Sequence, residues 1–257
     1  MAKTEPIGLL EYDFGPAVRA FSTTRSGMEG TGQYAGFNLL HRGQPAPPHV
    51  RRNRERLCAR LGIGEERLVI PQQTHGTRVA VVADGSEDLA ATDGLLTATP
   101  GLCIAVSTAD CVPLLLADPR QRAVGAVHAG WRGTLGRIAA GAIARMEEAF
   151  GTRPADVEVV IGPSISPEAF EVGPEVYEAF RAAAFPMERI SRQINGRWHI
   201  DLWAANALTL AGAGVSPHRI RPTRICTYAH SDTFFSARRL GLEAGRTLNG
   251  IMLLPAS

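Results

Sequence analysis

An α+β fold, with mixed β-sheets flanked by helices in one domain over residues 1–257, is what the amino-acid sequence predicts. Two stretches, "GLLTATPGLCIAVSTADCVPLLLAD" and "RAVGAVHA", are apolar almost without interruption and meet at an Asp118-Pro119-Arg120 turn. Strands covered on both faces have that composition. Around them lie segments whose apolar residues recur three and four apart, the mark of helices with one buried stripe. Nothing in the chain reads as a repeat, a low-complexity tract or a linker, so the elements are expected to share one compact body with the helices outside. With 257 residues, 45% hydrophobic and 20% charged, the chain has the balance of a soluble globular protein and the length to bury a sizeable core.

In chain order, "VRAFSTTR" (Val18 to Arg25) alternates as a strand does and leads into a Gly-rich loop, "SGMEGTGQYAGFN". "PPHVRRNRERLCARLGI" is a helix opened by proline and closed near Gly62, with Val50, Leu57 and Leu61 on its apolar side. "RLVIPQQTHGTRVAVVA" supplies two strand pieces around the polar Gln72-Gln73-Thr74-His75-Gly76 turn. The two apolar runs follow, then a helix from Thr134 to Phe150 whose Leu135, Ile138, Ala139, Ala142, Ile143 and Met146 form one stripe. "VEVVIGPSI" is a buried strand ending in a Gly-Pro turn, and "PEVYEAFRAAAF" a short helix. "DLWAANALTLAGAG" is a helix capped by Asp201 and ended by glycine. "RIRPTRICTYAH" and "RTLNGIMLLP" supply the last strands.

Composition excludes several classes of function. The longest apolar run, Gly101 to Ala117, contains Asp110 and Pro113 and is too short and too polar to span a bilayer. "MAKTEPIGLLEYDFG" has neither a basic start nor a sustained apolar stretch, so a cytoplasmic protein rather than a secreted one is expected. Net charge is +2 with no basic block, which gives no reason to expect a nucleic-acid partner. Lys3 is the only lysine, and its place on an end expected to fray argues against Schiff-base chemistry or a Walker-type phosphate loop. Cys58, Cys103, Cys111 and Cys226 form no CxxC pair, so free thiols are expected rather than a zinc ribbon or a disulfide framework.

The chemistry concentrates in "TADCVPLLLADPRQRAVGAVHAGWRG", Thr108 to Gly133. Cys111 in one apolar run and His128 in the next are consistent with a metal site, a nucleophile with its base, or plain core. His75 in its polar turn adds a third candidate ligand. Cys, His and His together match the make-up of a catalytic zinc site, which keeps one coordination position open. Gly130-Trp131-Arg132-Gly133 at a strand-to-helix junction is a candidate anion seat. Phe234-Phe235-Ser236-Ala237-Arg238-Arg239 sets aromatics beside guanidinium groups and is a candidate lining for a flat, polar ligand. Asp110, beside Cys111, is expected to alternate to the other strand face and to act as a structural group.

The segments "QQTHGTRV", "TDGLL", "TADCVPLLLADP", "VGAVHAGWRGT", "IGPSISPEAFEVG", "DLWAANALTL" and "CTYAHSDTFFSARR" resemble, in this order, those of the laccase-domain (YfiH-type) proteins, once called multicopper polyphenol oxidases. The resemblance runs from "FSTTRSG" and "FNL" onward. It implies an α/β/β/α layered domain with one zinc on His75, Cys111 and His128, which are then also the catalytic residues. It further implies purine nucleoside phosphorylase activity on adenosine, inosine, guanosine or methylthioadenosine, adenosine deaminase activity, and in some bacteria a peptidoglycan-editing role. Its partners would be a purine nucleoside and phosphate, in a monomer or small homo-oligomer. Asn38, Arg132 and Arg239 are the substrate or phosphate contacts it suggests. The chain departs from the family pattern at "GPSISPEAFEVG", which lacks the usual cysteine pair, and at "FNLLHRG", both of which bear on the pocket rim. Seven histidines without a His-x-His pair do not suit a multicopper oxidase. Two rival readings stand beside the phosphorylase: a cysteine hydrolase or amidase using Cys111 and His128 on a peptidoglycan precursor, and a non-catalytic nucleotide sensor.

Overall fold

The computed structural model describes residues 7–26, 36–39, 48–120 and 122–255. Lys3, most of the Gly-rich loop and the His41-Arg42-Gly43 end of "FNLLHRG" lie outside the described residues. A five-stranded sheet has the order β1 (Leu9–Tyr12), β2 (Val18–Thr23), β14 (Thr247–Leu253), β6 (Cys103–Thr108), β3 (Leu68–Val69). A six-stranded sheet has the order β13 (Ile220–Pro222), β9 (Glu158–Ile161), β7 (Val112–Asp118), β8 (Ala123–Ala129), β5 (Gly94–Thr97), β4 (Val79–Val81). A small third sheet joins β10 (Glu171–Val172), β12 (Arg197–Ile200) and β11 (Ser191–Ile194). The helices are α1 (Pro48–Leu61), α2 (Trp131–Leu135), α3 (Ile138–Phe150), α4 (Pro174–Ala182), α5 (Met187–Ile190), α6 (Leu202–Gly212) and α7 (Ala237–Leu240).

The period-two alternation of strand side chains sorts the apolar residues into three layers. Ile104 and Val106 of β6 and Ile251 and Leu253 of β14 meet Leu95, Leu115, Ala117, Val124 and Ala126 of the six-stranded sheet. Their neighbours Cys103, Ala105, Leu248 and Met252 face the other way, onto Leu57 and Leu61 of α1. On the far side, Leu114, Leu116, Val127, Ala129, Val159 and Ile161 pack against Ile138, Ala142, Ile143 and Met146 of α3 and against Leu202, Ala205 and Leu210 of α6. The result is helix, sheet, sheet, helix. Both faces of the central strands are buried, and that is why their sequences are apolar without alternation.

Two expectations are revised, and the pairing of two expected strands is added. The helix expected from Thr134 to Phe150 starts earlier, at Trp131, and breaks between Leu135 and Ile138. Arg137 there takes the left-handed conformation at φ 58°, and Gly136 packs so closely that a Cβ on it would lie 2.5 Å from Thr77 Cγ2. Of "RIRPTRICTYAH", Ile220–Pro222 alone is strand. Proline offers no N–H to continue a ladder, Arg224 turns at φ 55°, and the partner β9 has already ended before Gly162-Pro163. The two strand pieces around His75 do not pair with each other: β3 lies parallel to β6 in one sheet, and β4 parallel to β5 in the other.

The chain therefore passes between the two large sheets four times, through residues 70–78, 98–102, 109–111 and 223–246. Because Leu115 is fully buried between the sheets, Leu115→Ala is expected to lower unfolding stability by about 2–5 kcal/mol. Equilibrium urea unfolding measures it, and a loss below about 1 kcal/mol would contradict the layer assignment.

Candidate functional site

Two of these crossings, 70–78 and 109–111, deliver a potential ligand to the same point. His75 is carried by the first, in a left-handed conformation at φ 63°. Cys111 ends the second, just before β7. His128 stands near the end of β8, paired in register with Pro113 of β7. One donor atom from each of the three lies within 4.8 Å of the others, and His75 is exposed, Cys111 half-buried and His128 buried. The two imidazoles meet edge to face, with ring centroids 4.8 Å apart.

Asp93, immediately before β5, holds the arrangement together and was given no role in the sequence analysis. Its Oδ1 accepts from the His75 backbone N–H at 2.9 Å and pairs with His128 Nδ1 at 2.7 Å. Its Oδ2 accepts from the Gly76 and Thr74 backbone N–H groups at 2.8 and 3.1 Å. With Nδ1 bound to Asp93, Nε2 of His128 is the nitrogen left for a metal ion. Gly130 leaves the necessary space: a Cβ there would lie 3.1 Å from His75 Cδ2 and 3.2 Å from Cys111 Sγ. A thiolate and two neutral imidazoles of this kind fit a borderline-soft divalent ion such as zinc.

The electrostatics favour a charged site. Burial pushes the Asp93 carboxyl up, but its hydrogen bonds to His128, Gly76 and Thr74 outweigh that and hold it down at about 2. Burial likewise opposes ionisation of the Cys111 thiol, yet the adjoining His128 and His75 bring it well below the ordinary thiol range. His128 is raised in turn, against its own burial, by Cys111 and Asp93. Elsewhere burial dominates, with smaller contributions from neighbouring charges: Cys58 is pushed up to about 11 and Cys103 to about 12.

A cavity of about 830 Å³ opens over the cluster, with His75, Cys111 and His128 in its wall. Apolar Ile70, Ile165, Phe170 and Leu242 and the guanidinium-bearing Arg238 and Arg246 complete much of the lining. Arg132 lies outside it, exposed, with its guanidinium carbon 4.2 Å from the centre of the Trp131 ring; α2, which it helps to form, is five residues long. Arg239 is turned to Tyr228, donating to its hydroxyl at 3.3 Å. Asn38 is buried beside the cavity rather than in its wall, and its Oδ1 accepts from the backbone N–H of Arg246 at 3.1 Å. Asp110 departs from the strand alternation expected of it, because residues 109–111 form a turn with φ 88° at Asp110. Its carboxylate accepts from Thr227 Oγ1 and from the Arg238 backbone N–H, each at 2.7 Å.

Residues 19–254 match the protein family described as "Multi-copper polyphenol oxidoreductase laccase". A purine nucleoside phosphorylase of Bacteroides thetaiotaomicron is 46% identical over 244 residues, covering 91% of this chain and 90% of that protein. The chain belongs to the laccase-domain (YfiH-type) family. Another laccase-domain relative, the adenosine deaminase RL5 of an unknown prokaryotic organism, is 41% identical over 259 residues and covers 95% of this chain and 98% of its own. The crystal structure of YlmD from Geobacillus stearothermophilus superposes with a TM-score of 0.87 at 32% identity, over 93% of each chain.

Within this laccase-domain chain, the departure from the family pattern at "GPSISPEAFEVG" reaches the cavity through Ile165 and Phe170. Asp93 lies in the "TDGLL" segment; a carboxylate before a buried strand is the available signal, but its partners, the consecutive Thr74, His75 and Gly76 and the distant His128, lie on other elements. Arg238 was legible only as one half of an Arg-Arg pair, and the turn of α7 decides which half faces the cavity.

In metal-free protein, the Cys111 thiolate paired with His128 should persist to a pH well below the usual thiol pKa of about 8.5. Iodoacetamide labelling followed by peptide mass mapping is expected to modify Cys111 ahead of Cys58 and Cys103, with a midpoint that rises in His128→Ala. An ordinary midpoint at Cys111 would contradict the ion pair.

Proposed function

We propose that this chain is a zinc-dependent purine nucleoside phosphorylase, converting adenosine, inosine, guanosine or methylthioadenosine with phosphate into the base and the ribose 1-phosphate, with adenosine deaminase activity in the same cavity. Its chief support is the convergence of His75, Cys111 and His128 within 4.8 Å in the wall of a cavity large enough for a nucleoside. The phosphorylase and deaminase names of the relatives agree with it. In this proposal His75, Cys111 and His128 are the metal ligands and the catalytic residues, and a zinc ion held there supplies a Lewis acid and lowers the pKa of water. Asp93 orients His128 and the His75 loop. Ile70, Ile165 and Phe170 give the flat base apolar walls that exclude water from the bond to be broken. Asn38 contributes by fixing the backbone of Arg246 at the rim. We place the protein in the cytoplasm, acting as one domain, where nucleosides and phosphate are at hand and its four free cysteines stay reduced.

One observation favours a second reading. Cys111, His128 and Asp93 form a hydrogen-bonded chain of the kind that activates a thiol nucleophile, which would suit a hydrolase or amidase acting on a peptidoglycan precursor. A metal on Cys111 blocks that chemistry, so metal content separates the two.

Chromatography of zinc-replete protein with adenosine is expected to show adenine and ribose 1-phosphate in the presence of phosphate alone, and inosine with or without it. Absence of both product sets would overturn the nucleoside reading, and full activity of metal-free protein abolished by alkylation would favour the hydrolase. Asp93→Asn is expected to weaken zinc binding by about 10- to 100-fold, read by competition with a chromophoric chelator; unchanged affinity would remove Asp93 from the site.

A further inference from the structure

We propose that Arg238 is the residue that binds inorganic phosphate in the cavity; the inference rests on the phosphorylase reading and names its anion site. Four basic side chains line the cavity wall among the described residues: His75, His128, Arg238 and Arg246. The two histidines face the metal position. Arg246 is folded back on its own loop, donating to the carbonyls of Leu242, Ala244 and Gly245. Arg238 differs. Its two terminal nitrogens reach the Glu171 carbonyl at 3.2 Å, one of them also the Ala169 carbonyl at 3.5 Å, and its guanidinium carbon lies 5.6 Å from the centre of the Phe170 ring. Among the described residues no carboxylate forms an ion pair with it. Neutral carbonyls position a guanidinium without cancelling its charge, and the fork has five N–H donors, of which these long contacts use a part.

The backbone of Arg238 is as firmly set as its side chain is open. Asp110 Oδ2 accepts its N–H at 2.7 Å, and Asp110 Oδ1 accepts from Thr227 Oγ1. Asp110 immediately precedes Cys111, so a single turn carries both a ligand of the metal position and the anchor of Arg238. That anchoring also spends the Asp110 carboxylate, the negative group on the cavity wall nearest in sequence to Cys111, on two donors. The other wall carboxylate, Glu243, is exposed on the rim.

An arginine fork suits two of the three oxygens of a phosphate that do not attack. In the reaction, an oxygen of hydrogen phosphate forms the bond to C1′ of the ribose as the C1′–N9 bond breaks; the electron pair leaves with the base, and the phosphate proton ends on the base nitrogen. Deamination of adenosine consumes water and has no use for the fork. Loss of Arg238 therefore falls unequally on the two activities.

The test uses zinc-loaded protein and its Arg238→Gln and Arg238→Lys variants, with zinc content and thermal unfolding confirming that each is folded and loaded. In Arg238→Gln the KM for phosphate is expected to rise about 10- to 100-fold, while the KM for adenosine stays within about threefold. The ratio of adenine to inosine formed falls accordingly, and Arg238→Lys recovers part of the loss. A phosphate KM close to that of the native protein in folded, zinc-loaded Arg238→Gln would overturn the proposal. Equilibrium dialysis against inorganic phosphate separates this outcome from failure of the phosphorylase reading. If the native protein makes no ribose 1-phosphate, that reading falls; phosphate binding lost in Arg238→Gln still supports the anion site, and binding that is absent or unaltered overturns it.

Discussion

The Asp93 carboxylate has no exposed surface and receives hydrogen bonds from the backbone of Thr74, His75 and Gly76 and from the His128 ring. A buried charge is costly unless its lone pairs are filled, and here both oxygens are occupied. The same bonds satisfy three backbone N–H groups of a loop that belongs to neither large sheet, and they stabilise the left-handed turn at His75. One carboxylate thus sets the position of two imidazoles that arrive on different elements. Because its pKa is depressed to about 2, the stabilisation it provides is complete above the ordinary carboxylate pKa and is lost as pH falls through the folded value.

Asp93 can do this because two sheets end together. Sheets packed face to face leave their strand ends as an open rim, and a chain that changes sheet must cross that rim. Residues 70–78 and 109–111 do so beside the end of β8. Within the sandwich the few buried polar side chains, such as Ser22, Thr108 and Asn249, must bond one another; at its end, backbone freed from the ladders offers further partners. His128 shows the transition, since it shares the inter-sheet face with Val124 and Ala126 but lies one residue from the end of its strand. Asp110 repeats the device of Asp93 on the opposite crossing, tying the Cys111 turn to Thr227 and Arg238. Two buried carboxylates, each satisfied by donors from distant parts of the chain, therefore brace the site. Buried polar groups are stable in such networks when every partner is present.

Much of this was legible without coordinates. The helix over α1, the cap of α6 by Asp201, the turn at Asp118 and the two-faced burial of β7 and β8 follow from periodicity, capping chemistry and composition. So did the candidacy of His75, Cys111 and His128, through residue chemistry and family resemblance. The break at Gly136-Arg137 was not legible, because Leu135 and Ile138 keep helical spacing across it and the contact that favours glycine comes from Thr77, in another loop. Arg132 and Arg239 were as plausible as Arg238 on sequence grounds; one residue of offset in a short helix turns a guanidinium from Tyr228 to the cavity.

By itself, then, the sequence determined the long strands and helices, β2, β7, β8, β9, α1, α4 and α6 among them, together with the faces they bury and three candidate ligand side chains, since these follow from local propensity, the period of the apolar pattern and residue chemistry. Tertiary structure alone decided that β3 and β4 join different sheets, that two of the four crossings meet at the end of β8, that Asp93 bonds to both the His75 loop and His128, and that Arg238 rather than Arg239 lines the cavity. The reason is physical: propensity and periodicity act within a few residues, whereas a donor and its acceptor, or three ligands and their shared carboxylate, are matched by sheet register across the whole chain.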